Sequence, residues 1–312
     1  MNYVHRNDLI SAEQLGALVE RSNWRGAMHL FGHVSLLAAT GVALHLWWGS
    51  VWCVALFLLH GGVLNWLYAA QHEMMHQTAF RSRMLNEIGS RITGLIVLFP
   101  RDLDRIAHFR HHRYTNDPLR DPELNDVRPD AAPPSAAAIA WRLCGVMYWG
   151  RRMRYLLLLS VGDTRLVVFM TQPEQRVVVH EARLHVVVYL ALYSGAWLAQ
   201  SWAPLLYWLG PLLAARCTHE IQNLVEHTGC APGADVMRNS RVIRTNPLMR
   251  WLGWNMQYHC HHHLFAAVPF YHLPVLNGML TSPTRSAKVP LPEPVSYWQA
   301  ICSIVRGPAR VG

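Results

Sequence analysis

The chain is poor in charged residues and lacks the motifs of secreted and nucleic-acid-binding proteins. Only 15% of its 312 residues are charged, whereas 52% are hydrophobic, and a soluble domain averages about 25% charged residues. Lys288 is the only lysine, so the net charge of +9 comes almost entirely from arginine. No basic helix or zinc-finger spacing is present, which argues against nucleic acid as a partner. Anionic lipid headgroups explain the positive charge better.

The cysteines and the first 25 residues each argue against a further class. Six are scattered along the chain without a CxxC pair, which fits reduced thiols and argues against a disulfide framework. The first 25 residues hold no apolar run of the kind that a signal peptide needs, and they predict a short amphipathic lead-in.

Two long stretches lack charge altogether. Residues 27–70 contain no Asp, Glu, Lys or Arg, and neither do residues 184–215. The first stretch is long enough for two membrane spans of about twenty residues, and the second for two shorter ones. The expected spans are residues 27–47, 51–70, 184–199 and 202–216. The sequence therefore predicts an all-α integral membrane protein with four transmembrane helices in two hairpins.

The distribution of arginine predicts the orientation. Residues 78–183 carry sixteen arginines, while both candidate hairpin turns carry no basic residue. The positive-inside rule places this stretch and both termini in the cytoplasm, with a bacterial inner membrane as the expected location. We expect one domain over residues 1–312, with a cytosolic helical cap formed by residues 71–183 and 217–312.

Although charged residues are few, the chain has nineteen histidines. Residues three or four apart share a helix face, so each spaced group of histidines presents converging imidazoles. Imidazole is a ligand for iron, copper and zinc, and eight or nine such nitrogens exceed what one four-coordinate zinc needs. The candidate ligands in these groups are His72 and His76; His108, His111 and His112; and His259, His262 and His263. All of them fall on the predicted cytosolic side, which indicates a histidine-rich dimetal site in the cap.

These groups and their flanks resemble the three histidine boxes of the membrane fatty acid desaturase and hydroxylase superfamily. The tract 112–118, HRYTNDP, looks like that family's continuation of the second box. Asn255 and Tyr258 before the third box, and the Leu273-Pro274 pair after it, match the third-box context.

The resemblance implies a non-haem centre of two irons that activates O2 against an unactivated C–H bond. It also implies a ninth histidine ligand with an asparagine one turn earlier, which His227 and Asn223 match in spacing; the asparagine would reach the metal through water or support a ligand. Iron is favoured over zinc on chemical grounds too, since zinc has no redox chemistry. Metal-bound histidines usually donate their other N–H to a carboxylate or carbonyl. The candidate partners of this kind are Asp117, Asp121, Glu123 and Glu226, although Asp121 and Glu123 also fit a solvated loop.

Four functions remain open at this point. The leading one is O2-dependent desaturation of a fatty acyl or similar aliphatic chain on a lipid or acyl carrier. Its electrons would come from a separate ferredoxin, rubredoxin or cytochrome b5 type of donor with its reductase. Hydroxylation or ketolation of an apolar molecule by the same centre is the close alternative. His72-Glu73-x-x-His76 also spells the motif of a membrane zinc metalloprotease, and a metal transporter is the non-enzymatic alternative.

Overall fold

The computed structural model describes residues 9–124, 133–231, 233, 235–282 and 292–307. The described part is predominantly helical. Its helices are α1 Ala12–Leu18, α2 Asn23–Leu46, α3 Cys53–Met75, α4 Arg83–Ile96, α5 Arg101–Tyr114, α6 Ala136–Leu143, α7 Val146–Ser160, α8 Gln172–Leu198, α9 Gly210–Ala214, α10 Cys217–His227, α11 Val236–Asn239, α12 Pro247–Leu252, α13 His259–Leu264, α14 Leu273–Leu280 and α15 Tyr297–Arg306. Two short strands, β1 Ile243–Arg244 and β2 Val295–Ser296, pair in parallel with Ile243 opposite Val295.

Helices α2 and α3 form the first predicted hairpin, and both are long and apolar enough to cross a membrane. Ser22 begins α2 by accepting a hydrogen bond from the backbone N–H of Arg25, as N-cap serines do. Most of α2 is exposed, with Phe31 at 68%. Such an unpartnered apolar surface suits contact with lipid. The distal half of α3 is buried instead, because the rest of the protein packs around it.

Helix α8 is the third helix of spanning length and composition. It begins at Gln172, behind a capping box of Thr171 and Glu174, twelve residues before the predicted span at 184–199. A polar start therefore precedes the apolar part of the same helix.

The predicted fourth span at 202–216 does not form one long helix. A π-helical turn, Leu205–Leu209, precedes the short α9, and Pro204 and Pro211 lie at the start of these two pieces. Proline removes a backbone donor and interrupts regular helix bonding. The described chain therefore contains three helices of spanning length, and a broken helical segment where a fourth was predicted.

The broken segment packs tightly against α3. A side chain at Gly61 would collide with the backbone of Pro211, so the two backbones meet where only glycine fits. Asn65 donates from Nδ2 to the carbonyl of Leu212 at 2.8 Å. His60, also on α3, places Nε2 2.8 Å from the carbonyl of Tyr207. This histidine of the first hairpin therefore serves helix packing.

An ion-pair network joins α4, α5 and α8. The Arg91 guanidinium on α4 lies 2.9 Å from Asp102 on α5 and 3.4 Å from Glu181 on α8. The Glu181 carboxylate also accepts the backbone N–H of Asp102 at 2.7 Å, at the start of α5. This network holds the helix that carries the second histidine box against the apolar part of the molecule.

Candidate metal centre

The described structure brings all nine predicted histidine ligands into one buried cluster. The end of α3, the last turn of α5, the end of α10 and the start of α13 converge there. Their side chains form two groups of four, within each of which the candidate ligand atoms lie within 4.8 Å of one another. The groups are His72, His76, His108 and His262, and His111, His227, His259 and His263. Two adjacent four-histidine groups have the composition of a dimetal site.

His112 lies beside both groups. Its Nε2 is 2.8 Å from Nε2 of His108 and 3.2 Å from Nε2 of His262, both in the first group. Its ring stacks on His263 of the second group at 4.0 Å between centroids. The i, i+4 spacing of His108 and His112 puts the two on one helix face, as the sequence predicts.

The ring nitrogens face one another in a way that fits metal ligation. His259 and His227 bring their Nε2 atoms to 2.7 Å, and His72 and His262 bring theirs to 3.0 Å. Within the described residues, Nε2 of His76 and Nε2 of His263 are buried and have no hydrogen-bond partner. Buried polar atoms are nearly always satisfied, so unpaired nitrogens aimed at a shared centre fit coordination.

A tight loop after α5 supplies partners for the second box. Asn116 adopts the left-handed region with φ of 59°, which turns the chain back toward the helix. His111 donates from Nδ1 to Asp121 at 2.9 Å, and His108 donates from Nδ1 to Glu123 at 2.8 Å. Both carboxylates therefore hydrogen-bond predicted ligand histidines and do not merely face solvent.

Other histidines are oriented from elsewhere in the chain. His227 donates from Nδ1 to the carbonyl oxygen of Asn239 at 2.8 Å. Nδ1 of His259 lies 3.2 Å from Glu226, and Nδ1 of His263 lies 3.3 Å from the hydroxyl of Thr115. The contacts of His227 and His263 fix which nitrogen is free to ligate, whereas Nδ1 of His259 makes no hydrogen bond within the described residues. The roles of Asn239 and Thr115 were missed from sequence, since neither a carbonyl nor a lone hydroxyl carries a spacing signal.

Two of the predicted supporting residues do not contact these histidines within the described structure. Asp117 accepts a hydrogen bond from Nε of Arg120 at 2.7 Å and caps the loop backbone. Asn223 lines a neighbouring cavity one turn before His227. His219, one turn further back, lies edge-on to Tyr68 at 5.1 Å and forms part of that cavity's wall.

Burial keeps most of the cluster neutral. It lowers the pKa of both His227 and His262 to about 3. Burial also acts to lower the pKa of His111, but Glu123 and Asp121 outweigh it and raise that pKa to about 9. Neutral imidazole is the metal-binding form, so metal binding at His111 must displace a proton.

Glu73 and His261 point away from the cluster. The Glu73 carboxylate accepts the Thr78 hydroxyl at 2.7 Å and the backbone N–H of Phe270 at 3.3 Å. His261 places Nε2 2.9 Å from the side-chain oxygen of Asn277. A zinc protease needs this glutamate as a base beside the metal, and here it ties α3 to the segment after the third box.

A cavity of about 610 Å³ adjoins the cluster, within the range of small-molecule sites. Its lining includes His72, His108 and His227 from the cluster and Leu103 and Phe99 from the apolar packing. A molecule in this cavity would therefore lie directly against the predicted ligand histidines.

Three helices long and apolar enough to cross a membrane, and two groups of four histidines that could hold metal ions, are features expected of a membrane metalloprotein. The sequence model of the family described as "Fatty acid desaturase" matches residues 46–282, and the chain belongs to that family. The first predicted span lies mostly before the match, and all nine histidines lie within it.

Individual relatives are more distant. The chain is 28% identical over 142 residues to beta-carotene 4-ketolase 3 of Haematococcus lacustris, covering 43% of this chain and 41% of the ketolase. It is 24% identical over 264 residues to a sphingolipid delta(4)-desaturase of Drosophila melanogaster, covering 83% and 74%. An sn-1 oleoyl-lipid 12-desaturase of Picosynechococcus is 24% identical over 177 residues, covering 55% and 50%. The chain thus spans less than half the length of the ketolase that it matches.

Proposed function

We propose that this protein is an O2-dependent desaturase of an aliphatic chain, with two irons held by nine histidines. The observation that carries the proposal is the convergence of these side chains into two groups of four, with His112 beside both. The irons would supply the oxidising chemistry when bound. The protein binds the substrate, orients the ligands and excludes water.

The described residues suit those three tasks. Asp121, Glu123 and the Asn239 carbonyl hold Nδ1–H of their histidines, which leaves Nε2 of each for the metal. Six of the nine histidines are buried and three are half-buried, with His262 fully enclosed, and a dry site keeps reactive oxidants from side reactions. The adjoining cavity gives a hydrocarbon access to the ligands.

Hydroxylation or ketolation of an apolar molecule is the second candidate. The match to a carotene ketolase favours it, and the same ligand set would serve either outcome. The two differ in whether the substrate loses a second hydrogen or gains oxygen. The protease alternative loses support because Glu73 is engaged away from the cluster.

We further propose that the histidine cluster faces the cytosol, where a ferredoxin, rubredoxin or cytochrome b5 type of donor would deliver two electrons per turnover. The arginine-rich stretch between the two apolar regions supports this orientation. In this orientation the first hairpin crosses the membrane twice. The second apolar region, which consists of α8 and the broken segment, also returns to the cytosolic side.

Metal and product analysis together test the proposal. Protein expressed with ample iron should contain close to two irons per chain. Mass spectrometry after turnover with a matching donor should show a product lighter by two hydrogens. Gain of oxygen would select the hydroxylase or ketolase instead. One stoichiometric zinc with no oxygen consumption would refute both.

A further inference from the structure

One wall of the cavity beside the histidines is basic. Arg142, Arg151 and Arg152 line it. Glu220 also lines it, but this carboxylate is already shared: it lies 2.9 Å from Arg142 and 2.7 Å from Arg216. Two guanidinium groups thus share one carboxylate.

Arg152 has guanidinium N–H donors that no carboxylate of the described residues accepts. Its guanidinium lies over the rings of Phe99 and Tyr148, 4.7 Å from the Tyr148 centroid. Within the described residues no carboxylate lies within 4.0 Å of it, and its interactions there are with aromatic faces. A guanidinium carries five N–H donors in a planar fork that matches a carboxylate or a phosphate. Its position on the cavity wall makes that fork available to a bound molecule.

The neighbouring Asp104 does not neutralise Arg152. Its buried carboxyl accepts the Tyr68 hydroxyl at 3.2 Å and the Gln71 amide at 3.0 Å. Burial, more than the opposing pull of Arg152, sets the pKa of Asp104, which lies well above its usual range. A neutral Asp104 neither pairs with the guanidinium nor repels an anion beside it.

A short aromatic path joins this cation to the metal ligands. The His72 ring lies 6.3 Å from the Tyr68 ring, and Tyr68 stacks on Phe99 at 5.9 Å. Arg152 lies over Phe99 in turn. Two aromatic rings therefore separate the guanidinium from a predicted ligand histidine, and both rings line the cavity.

We propose that the substrate carries an anionic group, a carboxylate or a phosphate, that the Arg152 guanidinium binds. The hydrocarbon part then runs past Phe99 and Tyr68 toward the histidine cluster. This inference rests on the proposed function, because it takes the cavity to be the substrate site. It favours a small amphiphilic acid or phosphate over a plain hydrocarbon, and over a lipid whose headgroup stays outside the cavity.

Ligand binding to the purified, metal-loaded protein tests this without turnover. The probes are dodecanoate, methyl dodecanoate and dodecyl phosphate, each titrated in detergent by quenching of tryptophan fluorescence. Arg152→Gln should weaken binding of an anionic probe by at least about tenfold, since charge-assisted bidentate bonds are among the strongest in proteins. Binding of the methyl ester should stay the same, which controls for partition into micelles.

Two matched variants serve as controls in the binding assay. Arg154 is exposed on the same helix and does not line the cavity, so Arg154→Gln should leave all affinities unchanged. Arg152→Lys keeps the charge but loses the planar fork, so its affinity for an anion should lie between those of the wild type and Arg152→Gln. Tighter wild-type binding of dodecanoate than of dodecyl phosphate would identify a carboxylate, and the reverse a phosphate.

Equal affinity of wild-type protein for dodecanoate, dodecyl phosphate and the ester would overturn the proposal, and so would equal losses in the Arg152→Gln and Arg154→Gln variants. If Arg152→Gln fails to fold, judged by metal content, Arg152→Lys and the comparison of acid with ester still decide. A protein that prefers the anion but forms no desaturated or oxygenated product would leave this inference standing and refute the proposed function.

Discussion

Replacement of Asp121 by asparagine isolates what one carboxylate contributes to the metal site. Asp121 accepts three hydrogen bonds at 2.9 Å, from Nδ1 of His111 and from the backbone N–H groups of Asn116 and Glu123. Asp121→Asn removes the negative charge and replaces one acceptor oxygen with a donor. At least one of these three donors then loses its partner, and the His111 ring loses the anion that orients it.

The expected loss of metal affinity follows from the role of the Asp121 carboxylate. Mutating a group that orients a ligand histidine typically weakens metal affinity by about 10- to 100-fold, which is about 1.4 to 2.8 kcal/mol. Eight candidate ligands remain in place, so the site should persist in a weakened form. Loss of the fold is not expected, because the backbone contacts keep one oxygen.

Asp117 provides the matched control. It lies in the same loop and carries the same charge, but it hydrogen-bonds Arg120 and no ligand histidine. Competition of Co²⁺ against a chelator, with each variant, measures the affinity directly. We expect Asp117→Asn to match the wild type and Asp121→Asn to be 10- to 100-fold weaker. Similar affinities of the two variants would refute the assigned contact.

The pH dependence of the same assay has a definite sign. Asp121 helps to raise the pKa of His111 to about 9, so at pH 7 the metal must displace a proton from the wild-type site. Between pH 7 and 9 this competition fades, and wild-type affinity should rise. Without the Asp121 charge His111 loses its proton at lower pH, so the variant gains less. The advantage of the wild type should therefore grow from pH 7 to pH 9; a constant ratio would contradict the charge effect.

Two further predictions concern the third box and the topology. His262→Ala should abolish activity because it removes a cluster nitrogen, whereas His261→Ala should be milder because His261 bonds Asn277 outside the cluster; equal loss in turnover assays would refute this register. In a cysteine-free background, single cysteines replacing Ser50 and Ser201 should react with an impermeant maleimide outside intact cells, and one replacing Ser135 should not. External labelling at 135, or none at 50, would overturn the proposed orientation, and silence at 201 alone would indicate a second apolar region that enters the membrane without crossing it.

Helical spacing predicted that the histidines converge, but it did not predict how they divide into two groups. Residues three and four apart must share a face, so His108 and His112 converge wherever their helix packs. The division into two groups depends on how α3, α5, α10 and α13 meet in space. That arrangement rests on close approaches such as Gly61 against Pro211, which leave no periodic signal.

The supporting residues show the same limit. Acidic residues near the boxes were predictable as a set, but their spacing does not tell Asp121, which contacts His111, from Asp117, which contacts Arg120. The left-handed conformation of Asn116, whose backbone N–H Asp121 accepts, has no periodic signal in the sequence. The broken fourth span likewise depends on how Pro204 and Pro211 are accommodated, while hydropathy registers only that the segment lacks charge.

The buried histidines themselves argue that the site is built for a ligand. Desolvation disfavours charge on His227 and His262, and their nitrogens crowd other imidazoles at 2.7 to 3.2 Å. Unsatisfied buried polar groups cost about 1 to 3 kcal/mol each, and Nε2 of His76 and of His263 are two such atoms. A core could remove that cost by replacing them with apolar residues of similar size. Their retention, with partners already placed on Nδ1 of several neighbours, is explained if metal binding supplies the missing interactions, so that the energy of coordination offsets what burial of the imidazoles costs.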